Sequence, residues 1–354
     1  MDQPRIKILL TGATGYLGGS VLTSLIQSAN PVVKNLKISA LVRGATQAEL
    51  LAGQTIRPIL FSGFEDIEAL TKAASEHDAV INCASGFATG AAEALILGLG
   101  ERRKLTGQEV FMIHTSGTSN ISDRPISKKY VETRSFDDAT DNIFEYLVER
   151  QSLEVYEQRT TDLAVAKRAK ETGVKVYTIM APPIYGIGTG KFNRLSTQIP
   201  MLAKIAIQAR RSLYIGDGLG VKDYVHVVDL AKFYGLLLGK VLENGRAVPY
   251  GERGIFFAST GSFRWKDLAK DLAQVGYDLG KLDSPEPRSI TIDEALALGI
   301  AATEQRAELV FASNSRGRAS VANSLGWTPK KTETDWKNNL KDDFVAVIRS
   351  LDQK

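Results

Sequence analysis

The 354-residue sequence holds one cysteine, Cys83, and three scattered histidines. A lone thiol closes no intrachain disulfide, so nothing covalent braces the fold, which suits a reducing compartment. Scattered histidines with one cysteine give no metal-ligand spacing. No apolar run approaches the ~18 residues of a spanning helix. The run at 6–10 has only a strand's length, and the N-terminus lacks the charged-then-apolar secretory pattern. These absences set the expectation of a cytoplasmic protein without membrane association. Charge of one sign is also scarce: the formal net charge is +4. Basic residues are spread out apart from Arg102-Arg103-Lys104 and Lys330-Lys331, whereas a nucleic-acid surface concentrates them, so no nucleic-acid partner is expected. Gly-x-Ser-x-Gly is missing, which removes support for a nucleophile-elbow hydrolase. Asn120-Ile121-Ser122 has glycosylation spacing, but without a secretory signal it reads as chance.

What is present is an apolar fraction of 44%, enough for a filled core. Residues 6–11, 37–42, 57–61, 79–82, 110–114 and 175–181 read as strands. Residues 17–28, 46–52, 67–75, 88–103 and 153–172 read as helices between them. Strand–helix alternation with right-handed crossovers predicts an α/β, Rossmann-type, doubly wound parallel sheet with ligands at the carboxyl ends of its strands. After Pro182-Pro183 the texture changes. Residues 186–226 are rich in glycine and arginine; 265–274 read as a helix, 311–315 as a strand, 319–325 as a short helix and 336–348 as an amphipathic helix. The expected division is a dinucleotide-binding domain over 1–182 and a smaller C-terminal substrate-binding lobe over 183–354 that returns elements to the main sheet.

The first strand ends in Thr11-Gly12-Ala13-Thr14-Gly15-Tyr16-Leu17-Gly18. Here Gly12 permits the tight turn, Gly15 lets backbone approach a pyrophosphate, and Gly18 lets the helix pack closely on the sheet. The free N–H groups and dipole at the helix start favour a phosphate. Gly12, Thr14, Gly15, Tyr16, Leu17 and Gly18 are thus the expected cofactor loop. The second strand ends at Arg43, with no acidic residue there to hold both ribose hydroxyls; Glu49 comes later. An arginine at this place pairs with a 2′-phosphate instead, which favours NADP(H) over NAD(H).

Several stretches together resemble the extended or atypical short-chain dehydrogenase/reductases, the group of nucleotide-sugar epimerases and NADP-dependent carbonyl reductases. The resemblance spans nearly the whole chain: the glycine loop, Asn82-Cys83-Ala84-Ser85, His114-Thr115-Ser116-Gly117-Thr118, Ala181-Pro182-Pro183-Ile184-Tyr185-Gly186, the Gly216-Asp217-Gly218 to Asp229 stretch and Gly326-Trp327-Thr328-Pro329. It implies that Ala84 and Ser85 line the nicotinamide ribose, that Thr115 adjoins the cofactor, and that Ser116 is the active-site hydroxyl. It further implies that Pro183 and Ile184 meet the carboxamide through backbone. Asn193 would contact substrate, with Arg194 and Gln198 nearby.

The chain departs from this group at the catalytic pair Tyr-x-x-x-Lys. The four-residue step puts both side chains on one helix face, where the lysine holds the ribose and lowers the tyrosine pKa. Only Tyr277 and Lys281 have that spacing, far past the cofactor half and with a glycine between them. At the expected place stand Tyr156, Arg159 and Thr160. Tyr156 is the expected proton donor and Arg159, one residue early, the expected ribose holder; Tyr146 and Arg150 form a second pair. The bland readings are a packed helix tyrosine for Tyr156, a strand-end hydroxyl for Ser116, a core histidine for His114 and a loop-fixing one for His226.

The leading expectation is an NADP-dependent oxidoreductase passing hydride between nicotinamide and a small carbonyl or alcohol. The alternatives are a nucleotide-sugar epimerase or dehydratase, for which Arg210-Arg211 would hold a diphosphate, and a non-catalytic NADP(H)-sensing regulator. The family resemblance implies a homodimer built on helices of the 88–103 and 153–172 type.

Overall fold

A computed structural model describes residues 5–54, 56–244 and 247–352. A parallel seven-stranded sheet forms its centre. We number its strands β1 (Lys7–Thr11), β2 (Lys37–Val42), β3 (Arg57–Leu60), β4 (Ala79–Asn82), β5 (Phe111–Gly117), β6 (Lys175–Ala181) and β7 (Ile255–Phe257). Their order across the sheet is β3-β2-β1-β4-β5-β6-β7. The reversal between β1 and β4 is a topological switch point, so the crevice outside these two strand ends is where a ligand seats. Helices α1 (Tyr16–Ile26), α2 (Ala45–Ala52), α3 (Ile67–Ser75), α4 (Thr89–Thr106), α5 (Ile143–Leu153), α6 (Glu157–Thr172) and α7 (Val227–Asn244) accompany them.

The strands are nearly continuous apolar runs because both faces are covered. Alternation sorts their side chains. Ile8 and Leu10 of β1, Ile81 of β4 and Ile113 of β5 join the core with Leu22 of α1 and Tyr234 of α7. Leu9, Val80 and Met112 join the other core, with Leu70 of α3, Leu95 of α4 and Val165 of α6. The same period of two sends His114 and Ser116 toward α6 and Thr115 toward α7.

A third core fills the C-terminal lobe, with Trp265, Phe311, Trp336 and Phe344 among its members. The lobes interleave. The chain leaves the sheet after Ala181, returns as α7 and β7, and pairs Ile255–Phe257 with Thr178–Met180. Two expected elements differ. The helix expected over 153–172 begins only at Glu157, and Leu153 ends a separate preceding helix, because Glu154 and Tyr156 take extended conformations (φ −151° and −136°). The strand expected over 311–315 is instead the end of the helix Glu304–Phe311, started by the Thr303 side-chain cap; beyond it Ser315 makes only an isolated bridge to Lys222. Tertiary burial of Ala307, Leu309 and Phe311 outweighs the β-like local sequence.

Candidate functional site

The glycine loop lies at the switch point. Gly12 has φ +72°, the left-handed region open to glycine. A Cβ on Gly18 would stand 2.2 Å from the Gly12 carbonyl oxygen, so α1 packs on the loop only because position 18 has no side chain. Gly15 is the N-cap of α1, with no side-chain cap and no acidic residue in the first turn. Its uncapped N–H groups and positive dipole end suit a diphosphate. Beside the loop, Thr11, Asn82, Ala84 and Ser85 share a narrow cleft with Phe61, Phe64, Leu70 and Ala88. Apolar side chains next to a phosphate-binding loop are the chemistry that a flat aromatic base needs, so these residue types suit a dinucleotide. Phe61 and Phe64 were not singled out from the sequence; their only signal is two aromatics flanking Ser62-Gly63 after β3.

Arg43 is exposed where β2 ends, and Gly44 then caps α2. Thr14, Tyr16 and Leu17 belong to the loop as expected from the sequence, but Tyr16 does more than present backbone. Its hydroxyl donates to the Gly186 carbonyl at 2.6 Å, and burial holds its pKa well above the usual value. The segment 186–194 folds onto α1: Thr189 N–H donates to Ser20 Oγ at 3.1 Å and Asn193 N–H to the Thr14 carbonyl at 3.4 Å. Asn193 is exposed, and its Oδ1 accepts from Leu195 N–H at 3.1 Å, so the side chain braces its own loop. Arg194 is spent on the Gly188 carbonyl, and Gln198 on that of Val310.

Ser85 Oγ accepts from Phe87 N–H at 3.2 Å. Thr115 lies on the α7 side, its hydroxyl 2.7 Å from the Asn82 carbonyl and 2.6 Å from Tyr234 Oη. Pro183 and Ile184 follow β6; the Pro183 carbonyl accepts from Val225 N–H, and Ile184 pairs with Val225.

Ser116, 4% exposed, sits at the end of β5 in a polar cluster with Asp162, Asn120 and His114. Asn120 is fully buried there, so its glycosylation spacing has no use in the folded chain. Tyr156 stands at the start of α6 beside the cleft. Its ring meets Phe87 edge-on at 6.2 Å, and Arg306 lies 5.0 Å over Phe87, forming a lip between the lobes. The Tyr156 hydroxyl is buried with no hydrogen-bond partner. Burial pushes its pKa up, with the Ser119 hydroxyl and the Arg306 and Arg159 charges pulling it down.

Arg159, the expected ribose holder, is turned into the protein. Its side chain is 0% exposed, and its guanidinium donates to the Asn120 carbonyl at 3.1 Å, the Glu154 carbonyl at 2.8 Å and Gln151 Oε1 at 3.3 Å. The break before α6 turns these acceptors toward it, and burial lowers its pKa to about 10. Thr160 is exposed and accepts from Gln151 Nε2 at 2.7 Å. The position on the inner face is held by Gln158, whose Oε1 accepts from Ser119 Oγ at 2.6 Å and whose amide crosses both Gly86 and Gly117. Tyr146 and Arg150 pack under Tyr130, away from the cleft, with the Arg150 guanidinium 3.4 Å over that ring. His226 fixes a loop: Nδ1 accepts from Val228 N–H at 3.1 Å, and burial lowers its pKa to about 4. Arg210 is ion-paired with Asp283, and Arg211 donates to the Glu286 carbonyl at 3.0 Å, so the expected diphosphate-binding pair is already engaged. Among the described residues no His/Cys/Asp/Glu cluster can hold a metal ion, and no helix is long and apolar enough to cross a membrane.

The model of the NAD dependent epimerase/dehydratase family matches residues 139–249. An oxidase of Acremonium sp. is 28% identical over 344 residues, covering 91% of this chain and 92% of its own. A UDP-glucose 4-epimerase of Erwinia amylovora is 28% identical over 251 residues, covering 64% of this chain and 72% of its own. Among solved structures, the dTDP-glucose 4,6-dehydratase DesIV of Streptomyces venezuelae, with NAD bound, shares the fold. Its TM-score is 0.66 at 17% identity, over 98% of this chain and 97% of that one. The chain thus shares the fold of these enzymes, and its residues 139–249 match the family model.

Proposed function

From a chain whose centre matches the NAD dependent epimerase/dehydratase family, we propose an oxidoreductase that binds NADP(H) and passes hydride to or from a small carbonyl or alcohol. The observation that carries the reading is the glycine cradle at the switch point, followed by Arg43 rather than an acid at the end of β2. Gly12, Gly15 and Gly18 shape the loop, and the start of α1 receives the diphosphate. Phe61 and Phe64 flank the base, Arg43 takes the 2′-phosphate through its planar fork, and Ala84 and Ser85 border the nicotinamide end. The bound cofactor supplies hydride transfer; the protein positions and polarises. The oxidase similarity over 91% of the chain supports this reading. The epimerase reading is weaker, because Arg210 and Arg211 are engaged elsewhere.

The test is a fluorescence titration of wild type and Arg43→Ala with NADPH and NADH. The expected result is tighter NADPH binding, with Arg43→Ala removing about 10-fold or more of the preference, the size of one charge-assisted phosphate contact. Equal affinities in wild type would sink the NADP assignment, and binding of neither would sink the oxidoreductase. Binding without turnover on any carbonyl or alcohol would leave the sensing regulator.

A further inference from the structure

Asp162, 6% exposed, points from α6 to the end of β5. Ser116 Oγ–H donates to its Oδ2 at 2.6 Å. Asn120 Nδ2 donates to the same Oδ2 at 2.7 Å and to Ser116 Oγ at 3.1 Å. On the other side His114 Nε2 stands 3.5 Å from Oδ1. The histidine tautomer follows from its neighbours. Asn82 Oδ1 faces Thr11 Oγ1 at 2.6 Å and Ala84 N–H at 3.5 Å. Its amide nitrogen therefore faces His114 Nδ1, at 3.1 Å, which has to accept. The neutral ring then carries its proton on Nε2, toward Asp162.

The cluster is not closed. Asn120 Oδ1 is buried without a hydrogen-bond partner, and Asp162 Oδ1 and His114 Nε2 have only each other, at a long 3.5 Å. A polar core kept for stability satisfies its groups, because each orphan in a low-dielectric interior is costly. Among the described residues no arginine or lysine is ion-paired with this carboxylate either: Arg159, on α6, is turned to backbone carbonyls. Next to the cluster stand Gly86 and Gly117, where an added Cβ would come within 3.0 Å of the Gln158 amide, and at Gly86 within 3.2 Å of the Thr115 carbonyl oxygen. Gln158 is one turn before Asp162, on the same helix face.

We propose that Ser116 and Asp162 form the proton relay of the oxidoreductase, in place of the tyrosine–lysine pair. In alcohol oxidation, the substrate hydroxyl gives its proton to Ser116 Oγ while Ser116 passes its own to the Asp162 carboxylate. The substrate C–H leaves as hydride to the oxidised nicotinamide, and the C–O bond becomes a carbonyl. Reduction is the reverse. The direction of the Ser116 hydrogen bond leaves an oxygen lone pair free to accept, which suits the oxidising direction. Asn120 holds the two oxygens in register, and His114 is a positioning residue that steadies the carboxylate. The relay rests on the oxidoreductase reading.

The experiment uses wild type, Asp162→Asn, Ser116→Ala and Tyr156→Phe, all first checked for an unchanged thermal midpoint. Affinities for NADP⁺ and NADPH are measured separately, followed by NADP⁺-dependent oxidation across an alcohol panel. A carboxylate near the cationic oxidised ring favours it over the neutral reduced ring, so Asp162→Asn should weaken NADP⁺ about 5-fold while NADPH changes less than about 2-fold. Its kcat, and that of Ser116→Ala, should fall about 100-fold or more with little change in KM, the scale of positioned acid–base catalysis. If the affinity ratio and kcat of Asp162→Asn stay at wild type and only Tyr156→Phe loses turnover, the relay is overturned while the cofactor reading stands. If wild type binds no dinucleotide, the oxidoreductase and the relay fall together.

Discussion

Lys222 is a lysine with its ammonium inside the protein. It lies on the strand Val221–His226 and is 2% exposed. Its Nζ donates to the Leu309 carbonyl at 2.8 Å, Ser122 Oγ at 3.2 Å and Ser313 Oγ at 3.4 Å. These partners join the lobes, but none carries a full charge. Burial brings its pKa down from 10.5 to about 7, against the pull of Asp123 and Asp223. At ~1.36 kcal/mol per unit, burying the charged form costs about 5 kcal/mol, and at pH 7 about 4, since half of the folded molecules then hold it neutral. Lys222→Met keeps the straight stem and removes the ammonium. The Leu309 carbonyl stays satisfied, because Ser313 Oγ–H also donates to it at 2.8 Å. Asp123 is left without a nearby cation and Ser122 Oγ without its donor, which offsets about half the gain, so the variant should be about 2 kcal/mol more stable at pH 7. At ~2.1 cal/mol/K per residue of unfolding entropy, that is about 3 °C. The pH dependence has a fixed sign. Between about pH 7 and 10.5 the unfolded chain binds the extra proton, so wild type gains stability as pH rises and the advantage of methionine fades. Paired urea melts at pH 7 and pH 10 measure this. A methionine variant less stable at pH 7, or a difference that stays flat to pH 10, refutes the reasoning.

Gly18→Ala puts a methyl 2.2 Å from the Gly12 carbonyl oxygen, so α1 has to shift from the loop. About 1–3 kcal/mol of stability should go, together with about 10-fold or more in dinucleotide affinity; unchanged affinity by fluorescence titration would count against the cradle. Glu308, fully buried, accepts from Arg124 Nε at 3.1 Å and from Ile126 and Ser127 N–H at 3.0 and 2.9 Å. Glu308→Gln removes one of the carboxylate partners of the buried Arg124, with Glu154 remaining, and should cost about 1–3 kcal/mol by chemical denaturation, with a loss under about 0.5 kcal/mol contradicting that expectation.

The sheet and the glycine loop were legible in the sequence because their determinants are local. A period of two, a period of 3.6 and the glycine spacing all lie within a few residues, and β2, β4, β6 and α3 fall on their expected residues. Ser116 and Tyr156 were legible in place though not in company. Asp162 was invisible, since one acid in a charged helix looks like any solvated residue. Its partner Ser116 is 46 positions away, and Arg124 and Glu308 are 184 apart. The same distance in sequence misled the reading of Arg159. Helical spacing put it near a ribose, but the break at Glu154–Tyr156, set by tertiary packing, turned backbone carbonyls to its guanidinium. Local hydrogen bonding and hydrophobic period thus determined the frame and the glycine loop. Which buried charge meets which partner was decided only when the chain closed, because desolvation and pairing depend on neighbours in space.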